Sequence, residues 1–479
     1  MTQTHLDSLK FSDNAARARA DANLQSALEK LQRDTRAGRP DVTGRLPEFE
    51  ALRDRAVAIK NHTLDHLDFY LETFEKNLTD AGGRIHWCRD AAEARAAILG
   101  ICRAADARIV GKGKSMVSEE IALNDHLIAN GLEVVETDLG EYILQLREET
   151  PSHLVMPAIH LKKEQVADTF RQFHTDLPAD RPLDAPAHMT EEARRKLREK
   201  FLAADVGITG ANMLIAETGS IVVVTNEGNG DLTQTLPRVH IAIATLEKAV
   251  PTVDDALTVL RVLARSATGQ EITCYTTFST GPKRSGDPDG PEEFHLVLLD
   301  NGRSELLAGR FRDVLRCIRC GACQSTCPVY GAAGGHAYGG VYGGPIGAVL
   351  MPALNGIEKA WTLPEASSFC GSCEAVCPMR IPLPGLMRKW REVAHARKLN
   401  KARARWAVAA WGWAARRPRL YRVGARIGVA ALRRLAGRRG RLRALPFAGS
   451  WTAERDLPAP EGGTFVDRWH RERPPEMDT

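Results

Sequence analysis

No stretch of this chain approaches the roughly 18 to 20 apolar residues that a membrane-spanning helix requires. The longest candidate, Trp406 to Ala415, reaches half that length and is stopped by Arg416 and Arg417. The apolar segment of a secretory leader is missing too, because Asp7 falls where one would have to begin. The chain is therefore expected in the reducing cytoplasm. There its ten cysteines are expected to bind metal or carry chemistry, not to form disulfides. Also absent are a Gly-x-Gly-x-x-Gly unit after a strand, a Ser-His-Asp order and a His-Glu zinc motif, which excludes a nicotinamide site, and no flavin motif is evident. Gly113, Lys114 and Ser115 match the end of a phosphate loop, but the position of its first glycine is Arg108, so a nucleoside triphosphate site is excluded. A strand followed by glycine, lysine and a helix start still suits a small anion such as a carboxylate.

What is present is a globular composition, 43% apolar and 26% charged, in 479 residues, enough for about three domains. The net charge of +5 hides an asymmetry. Between Arg388 and Arg443 there are 19 Lys and Arg against the single acid Glu392, so the rest of the chain is acidic. This basic segment interleaves Trp390, Trp406, Trp411 and Trp413 with arginine. Its leading reading is a helical arm docking on an acidic surface of the same or a partner protein. A contact with anionic lipid at the inner face of the membrane comes next. Nucleic acid comes last, since no reading module accompanies the charge.

Up to about Thr79 apolar residues recur at helical spacing, as in Leu64, Leu67, Leu71, Phe74 and Leu78, and predict two or so helices. From Arg84 to Asp300, short apolar or β-branched runs alternate with helical stretches; the runs are 108–110, 132–136, 154–156, 220–225, 240–244 and 295–299. That alternation predicts an α/β domain with a largely parallel sheet. Gly207, Gly210 and Gly219 are read as turns beside the strand at 220–225. Glu217, at the turn before that strand, is a weak catalytic candidate as nucleophile or base, against the plainer reading of an exposed or cap-bonded acid. Lys114 is the other weak candidate. The stretch from Pro458 to Thr479 is expected to be a poorly ordered tail.

Seven of the ten cysteines fall in two windows, Cys317, Cys320, Cys323 and Cys327 followed by Pro328, and Cys370, Cys373 and Cys377 followed by Pro378. The first is the C-x2-C-x2-C-x3-C-P run of two-cluster ferredoxins, in which three closely spaced thiolates wrap one iron-sulfur cube and the fourth reaches the other. By that rule cluster one takes Cys317, Cys320, Cys323 and Cys377. Cluster two takes Cys327, Cys370 and Cys373, and it lacks a cysteine because Ser367 stands at the missing position. Its fourth iron is held by Ser367, by water or by a partner's group, or it is absent and leaves a three-iron cluster. Four-cysteine zinc sites are the main competitor and fit the spacing less well. Cys88, Cys102 and Cys274 stand alone and read as buried small hydrophobes. Between the windows, eight of the 17 residues from Gly331 to Gly347 are glycine, a density expected to exclude helix and strand. This loop, with Tyr330, Tyr338 and Tyr342, either covers a cluster or docks a redox partner, or it is a structural wrap. His336 reads as a hydrogen-bonded loop residue.

The two ferredoxin windows, the Gly-Gly-His-Ala-Tyr-Gly loop at 334–339, and the stretches at 111–146 and 207–230 together resemble lactate-utilisation protein B over nearly the whole chain. The resemblance implies a lactate-utilisation domain, similar in fold to the sugar-phosphate isomerase and coenzyme A transferase group, then a mostly helical two-cluster ferredoxin module and a basic helical C-terminal segment. The limits expected are 1–80 for an N-terminal helical segment, 81–300, 301–387 and 388–479. It further implies two [4Fe-4S] clusters on the cysteines assigned above, and electron transfer in the oxidation of L-lactate to pyruvate alongside proteins A and C and a downstream acceptor. Whether this chain is itself the dehydrogenase, with substrate in the α/β domain, stays open. An iron-sulfur regulator binding nucleic acid is the remote alternative.

Overall fold

The computed structural model describes residues 7–445, 452 and 455–472. Its centre is a sheet whose strands are β1 (Arg84–Cys88), β2 (Ile109–Lys112), β3 (Glu133–Glu136), β4 (Val206–Gly210), β7 (Val239–Thr245) and β10 (Glu293–Leu299). They lie in the order β1-β10-β7-β4-β2-β3, and every pairing is parallel. Successive side chains on a strand point to opposite faces, so a doubly covered sheet needs apolar residues at every position. β7 and β10 meet that demand. Ile241, Ile243, Val297 and Leu299 pack on one face with Ile98 and Cys102 of the helix Ala91–Ala104. Ala242, Ala244, Leu296 and Leu298 pack on the other with Leu71, Phe74 and Leu78 of the helix Leu67–Asp80.

A second, four-stranded sheet comprises β5 (Met213–Ile215), β6 (Ser220–Thr225), β8 (Ala249–Val250) and β9 (Tyr275–Ser279), in the order β8-β5-β6-β9. β6 pairs antiparallel with both neighbours. The run at 220–225 is thus a strand, as expected, but it belongs to this mixed sheet and not to the parallel one. Leu154 to Met156 form no strand. Their backbone is satisfied by side chains instead: Gln324 Oε1 accepts from the Leu154 N–H at 3.1 Å, and His153 Nδ1 accepts from the N–H groups of Val155 and Met156.

Gly207 and Gly210, read as turns, lie inside β4. The requirement at Gly207 is close approach: a Cβ there would sit 1.8 Å from the Thr233 carbonyl oxygen of the helix Asn229–Thr235. Gly207→Ala is expected to destabilise the fold by about 1–3 kcal/mol through overpacking. A lower urea midpoint at unchanged slope would report it, and an unchanged midpoint would show that the helix gives way without cost.

The N-terminal region holds four helices where about two were expected, Phe11–Ala20, Ala22–Gly44, Phe49–Asp65 and Leu67–Asp80. One break is at Asp21, whose carboxylate accepts from the N–H groups of Asn23 and Leu24 and so starts a new helix. The glycine-dense stretch is also more regular than its composition suggests: it contains the end of the helix Pro328–Ala333, the turn His336–Tyr338 and the start of the helix Gly344–Asn355. Pro328 and Pro345 occupy first-turn positions, where a missing N–H costs nothing.

The chain divides into two compact units, one ending at Ala394 and the other beginning at His395. Composition placed a limit at 387/388, but the helix Leu383–Ala396 runs through it, because Leu383, Leu386, Met387, Trp390 and Ala394 share one buried face. Trp390 is therefore a packing residue of the first unit: its Nε1 donates to the Val349 carbonyl at 3.0 Å and its ring stacks on Phe311. The second unit contains the helices Ala402–Ala415 and Pro418–Ala436, with Trp406, Trp411 and Trp413 exposed. Part of the expected disordered tail is a helix, Phe465–Glu472, started by Thr464 and Asp467, whose carboxylate also pairs with Arg426. Residues 473–479 of that tail lie outside the described residues. Among the described residues no helix is long and apolar enough to cross a membrane.

Candidate metal centres and the adjoining cleft

The structure gathers the seven windowed cysteines into two groups. Cys317, Cys320, Cys323 and Cys377 line one small pocket with Ile318, Ile346, Met379 and Leu383. Cys327, Cys370 and Cys373 line another with Ser367, Ser368 and Phe369. The two windows share one local conformation. In each, a non-glycine residue at positive φ precedes the cysteine (Arg319 at 61°, Phe369 at 55°) and a glycine at positive φ follows it (Gly321 at 71°, Gly371 at 81°). Non-glycine residues held this way carry strain, which the surroundings must over-determine. At Arg319 they do: its guanidinium lies 3.2 Å from Glu247 and over the Tyr342 ring.

Burial, then Cys377, pushes the Cys320 thiol up to about 12, and burial, then Cys327 and Cys370, does the same at Cys373. Cys377 is pushed up to about 11, chiefly by burial. Four clustered thiols in an apolar pocket oppose one another's ionisation, and a bound cation reverses that balance. The donor set therefore fits a thiolate-held metal centre. In the second group Cys370 is exposed and its thiol is shifted down, first by a hydrogen bond with Ser372. Ser367, at the position of the missing cysteine, lines this same pocket, and its Oγ accepts from the Phe369 N–H at 3.1 Å.

The tyrosines of the glycine-rich segment are all buried. Tyr330 donates to the Ser152 carbonyl at 2.7 Å and Tyr342 to Glu120 at 2.9 Å. The Tyr338 hydroxyl has no partner among the described residues, and burial followed by the nearby Cys327 thiol raises its pKa. His336 bonds the Thr150 carbonyl oxygen through Nε2, a loop residue as expected.

A cleft of about 270 Å³ opens at the carboxyl ends of β2 and β4, where parallel-sheet proteins commonly bind ligands. Lys114, Asn212, Glu227, Lys248 and Arg319 line it, and Leu154, Ile318 and Cys320 form a wall shared with the four-cysteine pocket. Lys114 donates to the Val155 carbonyl; burial lowers its pKa and Asp138, Glu141 and Glu227 oppose that. The anion site expected at the helix start is not built: the helix Met116–Glu120 has five residues, and the Ser115 side chain already caps it by accepting from the Ser118 N–H. Glu217 is exposed, lies outside this cleft and accepts from the Val253 N–H at the start of the helix Val253–Ala267, the cap-bonded arrangement. Cys88 and Cys102 are buried as expected; Cys274 is exposed, on the chain leading into β9.

Beneath the cleft lies a buried ionic network. Arg303 is bidentate to Glu120 at 2.9 and 2.8 Å and lies 3.0 Å from Glu247, which also pairs with Arg319. Burial would raise the Glu247 carboxyl, but Arg303, Arg319 and Lys248 hold it down at about 2.

A family model for the LUD domain matches residues 71–299, and one for a 4Fe-4S dicluster domain matches 313–381. Lactate utilization protein B of Shouchella clausii is 43% identical over 97% of this chain and 97% of its own. The chain belongs to the lactate utilization protein B family. Another member-like relative, the uncharacterized electron transport protein YkgF of Escherichia coli, is 44% identical over 93% of each chain. A solved DUF162 family protein from Deinococcus radiodurans overlaps 49% of this chain and 98% of its own at 16% identity, with a TM-score of 0.28. Within this lactate utilization protein B relative, the cleft residues Lys248 and Arg319 and the network acids escaped sequence reasoning. One signal was available for Lys248: Glu247 and Lys248 are the only charged residues in the largely apolar run from Ile241 to Val250.

Proposed function

We propose that this chain is the electron-carrying iron-sulfur subunit of a lactate-oxidising system. It would hold one cluster on Cys317, Cys320, Cys323 and Cys377 and a second on Cys327, Cys370 and Cys373, with Ser367 beside the open position. The carrying observation is the grouping of seven thiols into two neighbouring pockets, each drawing sulfurs from both windows. When bound, such clusters accept and release single electrons, and two of them match the two electrons a hydroxyacid gives up on oxidation. The chain's own residues hold the thiols, exclude water with apolar walls and fix the loops through Arg319 and the glycines. The basic helices Ala402–Ala415 and Pro418–Ala436 are read as docking to an acidic partner surface, such as protein A or C of the same system, with anionic lipid as the alternative. A catalytic role for this chain is favoured by one observation, the cleft that shares a wall with Cys320.

Anaerobically prepared protein is expected to be brown, to hold about seven to eight iron per chain, and to be reduced by L-lactate only when its partners are present. Tightly bound zinc with no visible absorption would overturn the reading.

A further inference from the structure

Two of the three tyrosines in the glycine-rich segment have committed hydroxyls: Tyr330 donates to the Ser152 carbonyl and Tyr342 to Glu120. Tyr338 differs. Its side chain is fully buried, and its hydroxyl has no partner among the described residues. Leaving a buried hydroxyl unbonded is costly, and native proteins seldom do so without a role for it.

The surroundings point to the acceptor. The titratable groups that act on Tyr338 are Cys327, then Tyr330, Cys323 and Cys373. Cys327 and Cys373 belong to the three-cysteine pocket, and Cys323 to the four-cysteine one. Burial and these thiols raise the phenol's pKa, so it keeps its proton at neutral pH and is a donor. The N-terminal helices hold it there. Ser8 Oγ donates to the Tyr338 carbonyl at 2.8 Å, Asn14 Nδ2 donates to the Ala337 carbonyl at 3.3 Å, and the Phe11 ring meets the Tyr338 ring edge-on at 5.0 Å between centroids.

We propose that the Tyr338 hydroxyl donates to a sulfur of the cluster held by Cys327, Cys370 and Cys373 and raises that cluster's reduction potential. Reduction adds negative charge to the cluster, so a donor stabilises the reduced form more than the oxidised one. The bond thereby makes the cluster that lacks a fourth cysteine a better electron acceptor. Tyr338 acts here on a cluster assigned above, so this role rests on the iron-sulfur reading.

Redox titration of the anaerobically prepared full chain, followed by electron paramagnetic resonance, tests this. Tyr338→Phe should keep its iron and both cluster signals, since the phenyl ring fills the same space. The cluster whose signal Cys327→Ala removes should become about tenfold harder to reduce, about 59 mV for a one-electron couple, and the other cluster should move less. Tyr330→Phe, which deletes a neighbouring buried hydroxyl already bonded elsewhere, should leave both midpoints where they are. Tyr338→3-fluorotyrosine, whose phenol is the stronger donor, should move the same midpoint the opposite way, and it tests the bond even if Tyr338→Phe fails to assemble. The proposal is overturned if neither Tyr338 variant moves that midpoint, if both move it in one direction, if Tyr330→Phe moves it equally, or if only the other cluster responds. Two iron-sulfur signals with unmoved midpoints would sink this role alone, whereas tightly bound zinc and no visible absorption would sink the iron-sulfur reading and this role with it.

Discussion

Cys377→Ala is expected to remove the same cluster as Cys317→Ala, although the two positions lie sixty residues apart in sequence. Both thiols line the pocket of Cys320 and Cys323, whereas Cys370 and Cys373, next to Cys377 in sequence, line the pocket of Cys327. Pro378 follows Cys377 as Pro328 follows Cys327, and in each window the chain carries the last cysteine away from its predecessors. Cys377 is held in place from outside the module by Arg53, whose guanidinium donates to its carbonyl at 2.7 Å, and the Ile381 N–H lies 3.5 Å from its sulfur. Either variant should lose about half of the iron and keep the electron paramagnetic resonance signal of the other cluster. Cys327→Ala should do the reverse. If Cys377→Ala instead reproduced the spectrum of Cys373→Ala, each window would hold its own cluster and the ligand assignment would be wrong.

Glu247→Gln should cost about 3–5 kcal/mol of folding free energy, the range for removing one partner of a buried ion pair. Glu247 is 2% exposed and faces Arg303 and Arg319, so the neutral amide leaves two guanidinium groups inside the protein with one carboxylate, Glu120, between them. The effect should extend to the metal centre, because Glu247 holds Arg319 in its left-handed conformation between Cys317 and Cys320. The sign of the pH dependence follows from the depressed carboxyl. With a folded value of about 2 against an unfolded value near 4.3, the stabilisation from Glu247 is fully present above the unfolded value and is lost as pH falls through the folded one. Urea midpoints between pH 7 and pH 3 should fall less steeply in Glu247→Gln than in the parent. Parallel curves, or a midpoint at pH 7 equal to the parent's, would show that the network is not a stabilising unit.

The central strands were legible because their signal is local. A strand buried on both faces must be apolar at nearly every position, and 240–244 and 295–299 are. The run at 154–156 looked equally apolar and is a loop, since apolarity reports burial and not hydrogen-bond partners, and here Gln324 and His153 serve the backbone. β4 went unread because its two glycines signal turns, whereas what they permit is the approach of the helix Asn229–Thr235 and of Ser115.

By itself the sequence determined the parallel α/β core and the two cysteine windows with the gap at Ser367, because each is written in spacings of a few residues. The tertiary structure alone decided that Glu120, Glu247, Arg303 and Arg319 meet in one buried network and that Lys248, beside it, lines a cleft walled by Cys320. Whether a charge is matched depends on which groups share its low-dielectric surroundings. Those groups come from four distant segments that only the folded sheet brings together.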